Sequence, residues 1–299
     1  MSPFEGLITA LATPLQADAI DADALTRLAE RQVRAKVHGV AVCTAAGEGA
    51  LLSGEERGQV IDVAMRAIAG RVPVYAGVMA LATRDATTQV QDAAAAGAAG
   101  VFVATPPLLQ QHEDALLAHF FAIADAATVP VAICHDPAQS GVALSLASCV
   151  RLAAHPRIAA IVVAETDLMR AQQIVHGLAD RIGVVSGHDA IHVPMSLAGS
   201  RGALCLSANI CPEKWVSAWR CLEAKDAAGA TAHQLALLGL GEALRLESNP
   251  GPLKSAMHLL GLCAADVRAP IAVPARPVLY RIAAELEALG LTIESRELV

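Results

Sequence analysis

Short, continuously apolar runs recur along the chain, each followed by a longer stretch with helical spacing. The runs are Leu7–Ala12, Gly39–Cys43, Val72–Gly77, Gly100–Ala104, Val129–Cys134, Ile158–Val163, Ile182–Ser186 and Gly202–Leu206. Strands with one wet face alternate apolar and polar positions; these do not, so both faces are expected to be covered. Ala24–Lys36, Glu55–Ala69 and Thr83–Ala96 have helical spacing. Capping residues precede or open them: Asp21 or Asp23, Ser53 with Glu55 and Glu56 behind it, and Thr83.

Eight strand–helix units with no long linker predict an α/β fold, a closed (β/α)₈ barrel. The competitor is an open doubly wound sheet, and it loses ground because no G-x-G-x-x-G follows the first strand. Beyond the eighth run the chain reads as helical from about Pro212 to Leu291. Pro250, Pro252, Pro270, Pro274 and Pro277 punctuate that stretch. The expected division is a barrel over 1–211 and a C-terminal helical extension over 212–299.

Composition narrows the function classes. Apolar residues make up 55% of the 299, enough for a large core, and the formal net charge is −7. Nucleic acid and anionic membranes are unexpected partners, because both need clustered Lys/Arg. The lysines are only Lys36, Lys214, Lys225 and Lys254. Seven cysteines, an odd number without a C-x-x-C pair, fit buried thiols in a reducing cytosol. MSPFEGLITA has no basic stretch before an apolar one, so no signal peptide is expected, and no run is long enough to span a membrane.

The segments at the strand ends carry a resemblance. They are Thr13-Pro14, Gly47-Glu48 with Leu52-Ser53, Ala76-Gly77, Thr105-Pro106, Pro137 with Gly141, Ser186-Gly187 with Asp189, and Ala208-Asn209. The tail adds Glu247-Ser248-Asn249-Pro250 with Pro252 and Lys254. In this order the chain resembles the dihydrodipicolinate synthase/N-acetylneuraminate lyase family over nearly its whole length. The resemblance implies class I aldolase chemistry. A lysine ending strand 6 forms a Schiff base with pyruvate, a tyrosine ending strand 5 relays protons, and a Thr-Thr pair after strand 2 holds the carboxylate. It also implies a homo-oligomer, a tetramer or a dimer.

Residue by residue, the reactive set departs from that pattern. Val162 stands at the lysine position and Cys134 at the tyrosine position. Gln139 replaces an arginine, Ala45 and Ala46 replace the two threonines, and Leu108 replaces a tyrosine at a subunit interface. No lysine lies between Lys36 and Lys214, so no shift of register restores one. Schiff-base chemistry is therefore not expected.

By the resemblance, the pocket residues are Ala45, Ala46, Glu48, Thr105, Cys134, Gln139, Val162, Glu165, His188 and Asp189. Glu48 reads more readily as a structural carboxylate accepting loop N–H groups than as a catalytic one, and His135 reads as an outward residue, since Cys134 takes the inward parity. A Cys/His/Asp/Glu set can bind Zn²⁺ or move protons. No tight ligand spacing is present, so neither a metal nor a cofactor is expected. Two readings of function remain: altered chemistry on a small organic acid or sugar-derived ligand, or a non-catalytic metabolite- or partner-binding relative.

Overall fold

The computed structural model describes residues 3–107 and 112–295. Eight parallel strands close a barrel: β1 Gly6–Ala10, β2 Gly39–Val42, β3 Val74–Val78, β4 Gly100–Ala104, β5 Val131–His135, β6 Ile158–Val163, β7 Gly183–Ser186 and β8 Gly202–Cys205. Each pairs with its sequence neighbour, and β8 pairs with β1 through Gly6↔Gly202 to Thr9↔Cys205. The strands match the apolar runs to within two residues at each end. A short antiparallel ribbon, Leu15–Gln16 with Ala19–Ile20, follows β1 and has no counterpart in the apolar pattern.

Helices cover the barrel: α1 Ala22–Ala35, α2 Gly54–Ile68, α3 Thr83–Ala95, α4 Glu113–Ala126, the single turn α5 Pro137–Ser140, α6 Leu146–Leu152, α7 Leu168–Leu178 and α8 His192–Leu197. Local chemistry sets their starts. Asp21 accepts from the Ala24 N–H at 2.9 Å, and Ser53 and Glu56 form a reciprocal capping box. Thr83 does not cap α3. Ala82 holds that position, and the Thr83 hydroxyl instead bonds His119 Nδ1 at 2.9 Å.

Alternation along the strands sorts side chains into two buried sets. One fills the barrel: Ile8, Ala41, Tyr75, Phe102, Ala132, Ala160, Val162 and Val185, with Cys134 and Leu204 at its edge. Phe4 closes the N-terminal end, its ring 4.9 Å from Tyr75 and 5.0 Å from Phe102. The alanines on neighbouring strands make room for these aromatics, so the interior is packed side chain and not a channel. The other set lies between the strands and the helices.

Among the described residues, four α-helices follow β8: α9 Pro212–Glu223, α10 Ala227–Ala243, α11 Gly251–Leu259 and α12 Arg276–Ala288. Asn209 seals the junction with β1. Its Oδ1 accepts from the Ala12 N–H at 3.0 Å, and its Nδ2 donates to Ala10 O at 2.7 Å. After α11 the chain returns to the barrel, where the Arg268 guanidinium bridges Glu56 and Asp18. No described helix is long and apolar enough to cross a membrane.

Candidate active site

A cavity of about 660 Å³ opens at the C-terminal ends of the strands, the end at which barrels of this class carry their chemistry. Val162 and Cys134 project into it, because they share the inward parity of Ala160 and Ala132. Ala45, Ala46, Thr105 and Gln139 also line it. Thr105 has little left to offer a ligand as a donor, since its hydroxyl donates to Cys134 O at 2.8 Å. Gly77 is required where β3 passes β2: a Cβ there would lie 2.3 Å from Cys43 O. Leu108, expected at an interface, lies outside the described residues.

Four expected pocket residues do not line the cavity, and hydrogen bonding explains each. Glu48 turns away, buried against the ammonium of Lys254, and accepts from the Arg268 N–H at 2.7 Å. Glu165 accepts from Arg170 Nε at 3.0 Å and lies 3.0 Å from His135 Nε2. His135 Nδ1 accepts the Leu144 N–H at 3.3 Å, which leaves its proton on Nε2 for Glu165. Thus His135, fully buried, faces the helices and not the cavity.

His188 is used as a cap: its Nδ1 accepts from the Ala190 N–H at 3.2 Å. Asp189, 3% exposed, accepts from the N–H groups of Leu206 at 3.1 Å and Ser207 at 2.8 Å, and from the Ser207 hydroxyl. It ties the β7 loop to the β8 loop. Its neighbour His192 bonds Ser186 Oγ at 2.8 Å and packs edge-on against Trp215.

Beside Asp136, which follows Cys134 out of β5, the cavity is lined by residues that sequence reasoning passed over: Thr44, Asp85, Gln89, Arg245 and Asn249. Arg245 and Asn249 come from the segment after α10, so only the fold brings them over the barrel. The one available signal was the run Glu247-Ser248-Asn249-Pro250, which contains Asn249 and begins two residues after Arg245. Among the described residues, Arg245 is the only lysine or arginine that lines the cavity. Lys254 Nζ is committed to Glu48 and to Asp266 O at 2.8 Å, and Lys36, Lys214 and Lys225 are absent from the lining.

The electrostatics disfavour a nucleophile. Burial, with the Asp136 carboxylate beside it, pushes the Cys134 thiol up to about 12, so thiolate is scarce near neutral pH. Burial also raises the Asp136 carboxyl from its ordinary value, against the pull of the Gln139 N–H and Arg245. Burial and then Arg245 lower His188 to about 4. Burial alone would raise Asp189, but His192, Arg245 and Ser207 hold it well below the ordinary range.

Among the described residues one group could offer three metal ligands, Asp189, His192 and Cys205, with ligand atoms within 4.8 Å of one another. All three are buried. Asp189 already accepts three hydrogen bonds, and burial drives Cys205 far above its ordinary value, so the donor set fits a structural knot better than a cation.

The model of the dihydrodipicolinate synthetase family matches residues 3–288. A 4-hydroxy-tetrahydrodipicolinate synthase of Sorangium cellulosum is 38% identical over 276 residues, 91% of each chain. That of Geotalea uraniireducens is 33% identical over 288 residues, 96% of this chain and 99% of the relative. Among solved structures, dihydrodipicolinate synthase from Aquifex aeolicus superposes with a TM-score of 0.94 at 29% identity, covering 98% of this chain and all of that one. The chloride-inhibited synthase of Acinetobacter baumannii, complexed with pyruvate, gives 0.94 at 30% identity, over 96% and 99% of the two chains.

Proposed function

The chain belongs to the dihydrodipicolinate synthetase family, and from that membership we propose that it binds a small organic acid or sugar-derived compound in the barrel mouth without forming a lysine Schiff base. One observation carries the reading. Val162, the penultimate residue of β6, faces the cavity, and none of the four lysines lines it. A Schiff base needs a primary amine with a partly neutral population at the carbonyl, and valine supplies none.

The chemistry left to this chain's own groups is proton transfer. Asp136 lines the cavity, and its raised carboxyl is placed to hold or release a proton at a bound ligand. On this reading the protein is a lyase-family barrel with altered chemistry. The second reading, binding without turnover, draws on Ala45, Ala46 and the suppressed Cys134 thiol, which together take hydroxyls and a nucleophile out of the site.

The test is reductive trapping. The full-length protein is incubated with pyruvate and sodium borohydride, and its intact mass is measured. No covalent adduct is expected, while a family member with the lysine, treated in parallel, gains one. A pyruvate adduct on any lysine of this chain overturns the reading.

A further inference from the structure

The cavity combines an apolar wall with a small set of polar atoms that the protein leaves without partners. Three are buried and unbonded: Thr44 Oγ1, Arg245 Nε and Asn249 Oδ1. Thr44 is only 8% exposed, and it sits before the short turn Ala45–Gly47 without capping it. Arg245 makes one long contact, Nη2 to Gly187 O at 3.4 Å. A buried donor without a partner costs about 1–3 kcal/mol, so such atoms gathered on one cavity point to a ligand that satisfies them.

The charges point the same way. Among the described residues, the charged ones lining the cavity are Asp85, Asp136 and Arg245. Asp85 is an exposed rim residue paired with Arg84 at 3.2 Å. Asp136 and Asp189 both feel the Arg245 charge, but among the described residues neither forms an ion pair with it within 4 Å. The guanidinium therefore lines the cavity without a carboxylate in contact with it. Around it, Met79, Leu81, Phe102, Val162, Leu204 and Leu206 present apolar surface. At about 660 Å³ the space is in the range that holds drug-sized molecules and far exceeds a three-carbon acid.

We propose that Arg245 is the anion anchor of this cavity, and that the ligand is a carboxylate with an apolar body several times the size of pyruvate. The carboxylate accepts from the Arg245 guanidinium, and other polar groups of the ligand meet Thr44 and Asn249 on the cavity wall. The proposal rests on the preceding reading that the cavity is an organic-acid site, and it names the substrate class.

The test uses 4-phenylbutyrate and its neutral isostere 4-phenylbutyramide as probes, by titration calorimetry on the full chain at pH 7.5. The acid is expected to bind at least about tenfold more tightly than the amide, the loss of one charge-assisted hydrogen bond being worth roughly that factor. Arg245→Met should erase the preference by weakening the acid and sparing the amide. Arg245→Lys keeps the charge without the planar fork and should retain part of it. If Arg245→Met does not fold, the wild-type acid/amide ratio and the lysine variant decide. Equal binding of acid and amide, a preference that survives Arg245→Met, or binding of neither probe each overturns the proposal. A trapped pyruvate–lysine adduct would instead overturn the reading beneath it and leave the Arg245 measurement standing.

Discussion

Glu48 and Lys254 meet in an ion pair from which water is almost wholly excluded, their side chains 1% and 0% exposed. The two residues come from the loop after β2 and from α11, so the pair joins the C-terminal helices to the barrel. Lys254 also donates to Asp266 O, and Glu48 accepts the Arg268 N–H, so each charge has a second partner. Burial lowers the Lys254 ammonium while Glu48 raises it, which marks the pair as interdependent. Removing one partner strands the other charge. Lys254→Met should cost about 3–5 kcal/mol in urea unfolding. Adding Glu48→Gln should recover part of that loss, and strictly additive losses would show that the pair is not coupled.

His188 supplies a pH signature. Burial, then Arg245, lowers its imidazole from the ordinary 6.5 to about 4. Between those values the unfolded chain binds a proton that the folded chain refuses. The contribution of His188 to stability therefore falls as pH drops from about 6.5 towards 4. His188→Gln removes that proton uptake. Thermal unfolding of both proteins at intervals from pH 4.5 to 7.5 should show the variant gaining on the parent as the solution is acidified. A difference that stays flat with pH contradicts the burial of His188 that lowers its imidazole.

How far this was legible from sequence differs sharply between strands and loops. The barrel could be read because a strand covered on both faces must be continuously apolar, and eight such runs have few ways to close. Parity alone fixed Cys134 inward and His135 outward, and the hydrogen bonds of His135 agree. The loop residues were harder. His188 and Asp189 follow a strand end closely, yet the first is spent on the Ala190 N–H of its own loop and the second on Leu206 and Ser207 of a neighbouring one. Arg245 was out of reach for the same reason: it faces Gly187, 58 residues earlier, and nothing in its local pattern records that return.

Val162→Lys asks whether the position at the end of β6 is the one that matters. Val162 is 2% exposed, packed in the barrel interior and facing the cavity, so a four-carbon amine has room to extend only towards the mouth. Desolvation there favours the neutral amine, the form that attacks a ketone. With millimolar pyruvate and borohydride the variant should gain a trapped adduct that the parent lacks. It should not gain synthase turnover, because Ala45 and Ala46 offer no hydroxyl to the carboxylate and the Cys134 thiol, pushed up to about 12, does not relay protons as a phenol would. Losing a buried apolar side chain for an amine should also lower the melting temperature, which thermal unfolding reads directly. Failure to trap pyruvate in a folded Val162→Lys protein would mean that the end of β6 is not presented to the ligand, and the correspondence with the family lysine would fall with it.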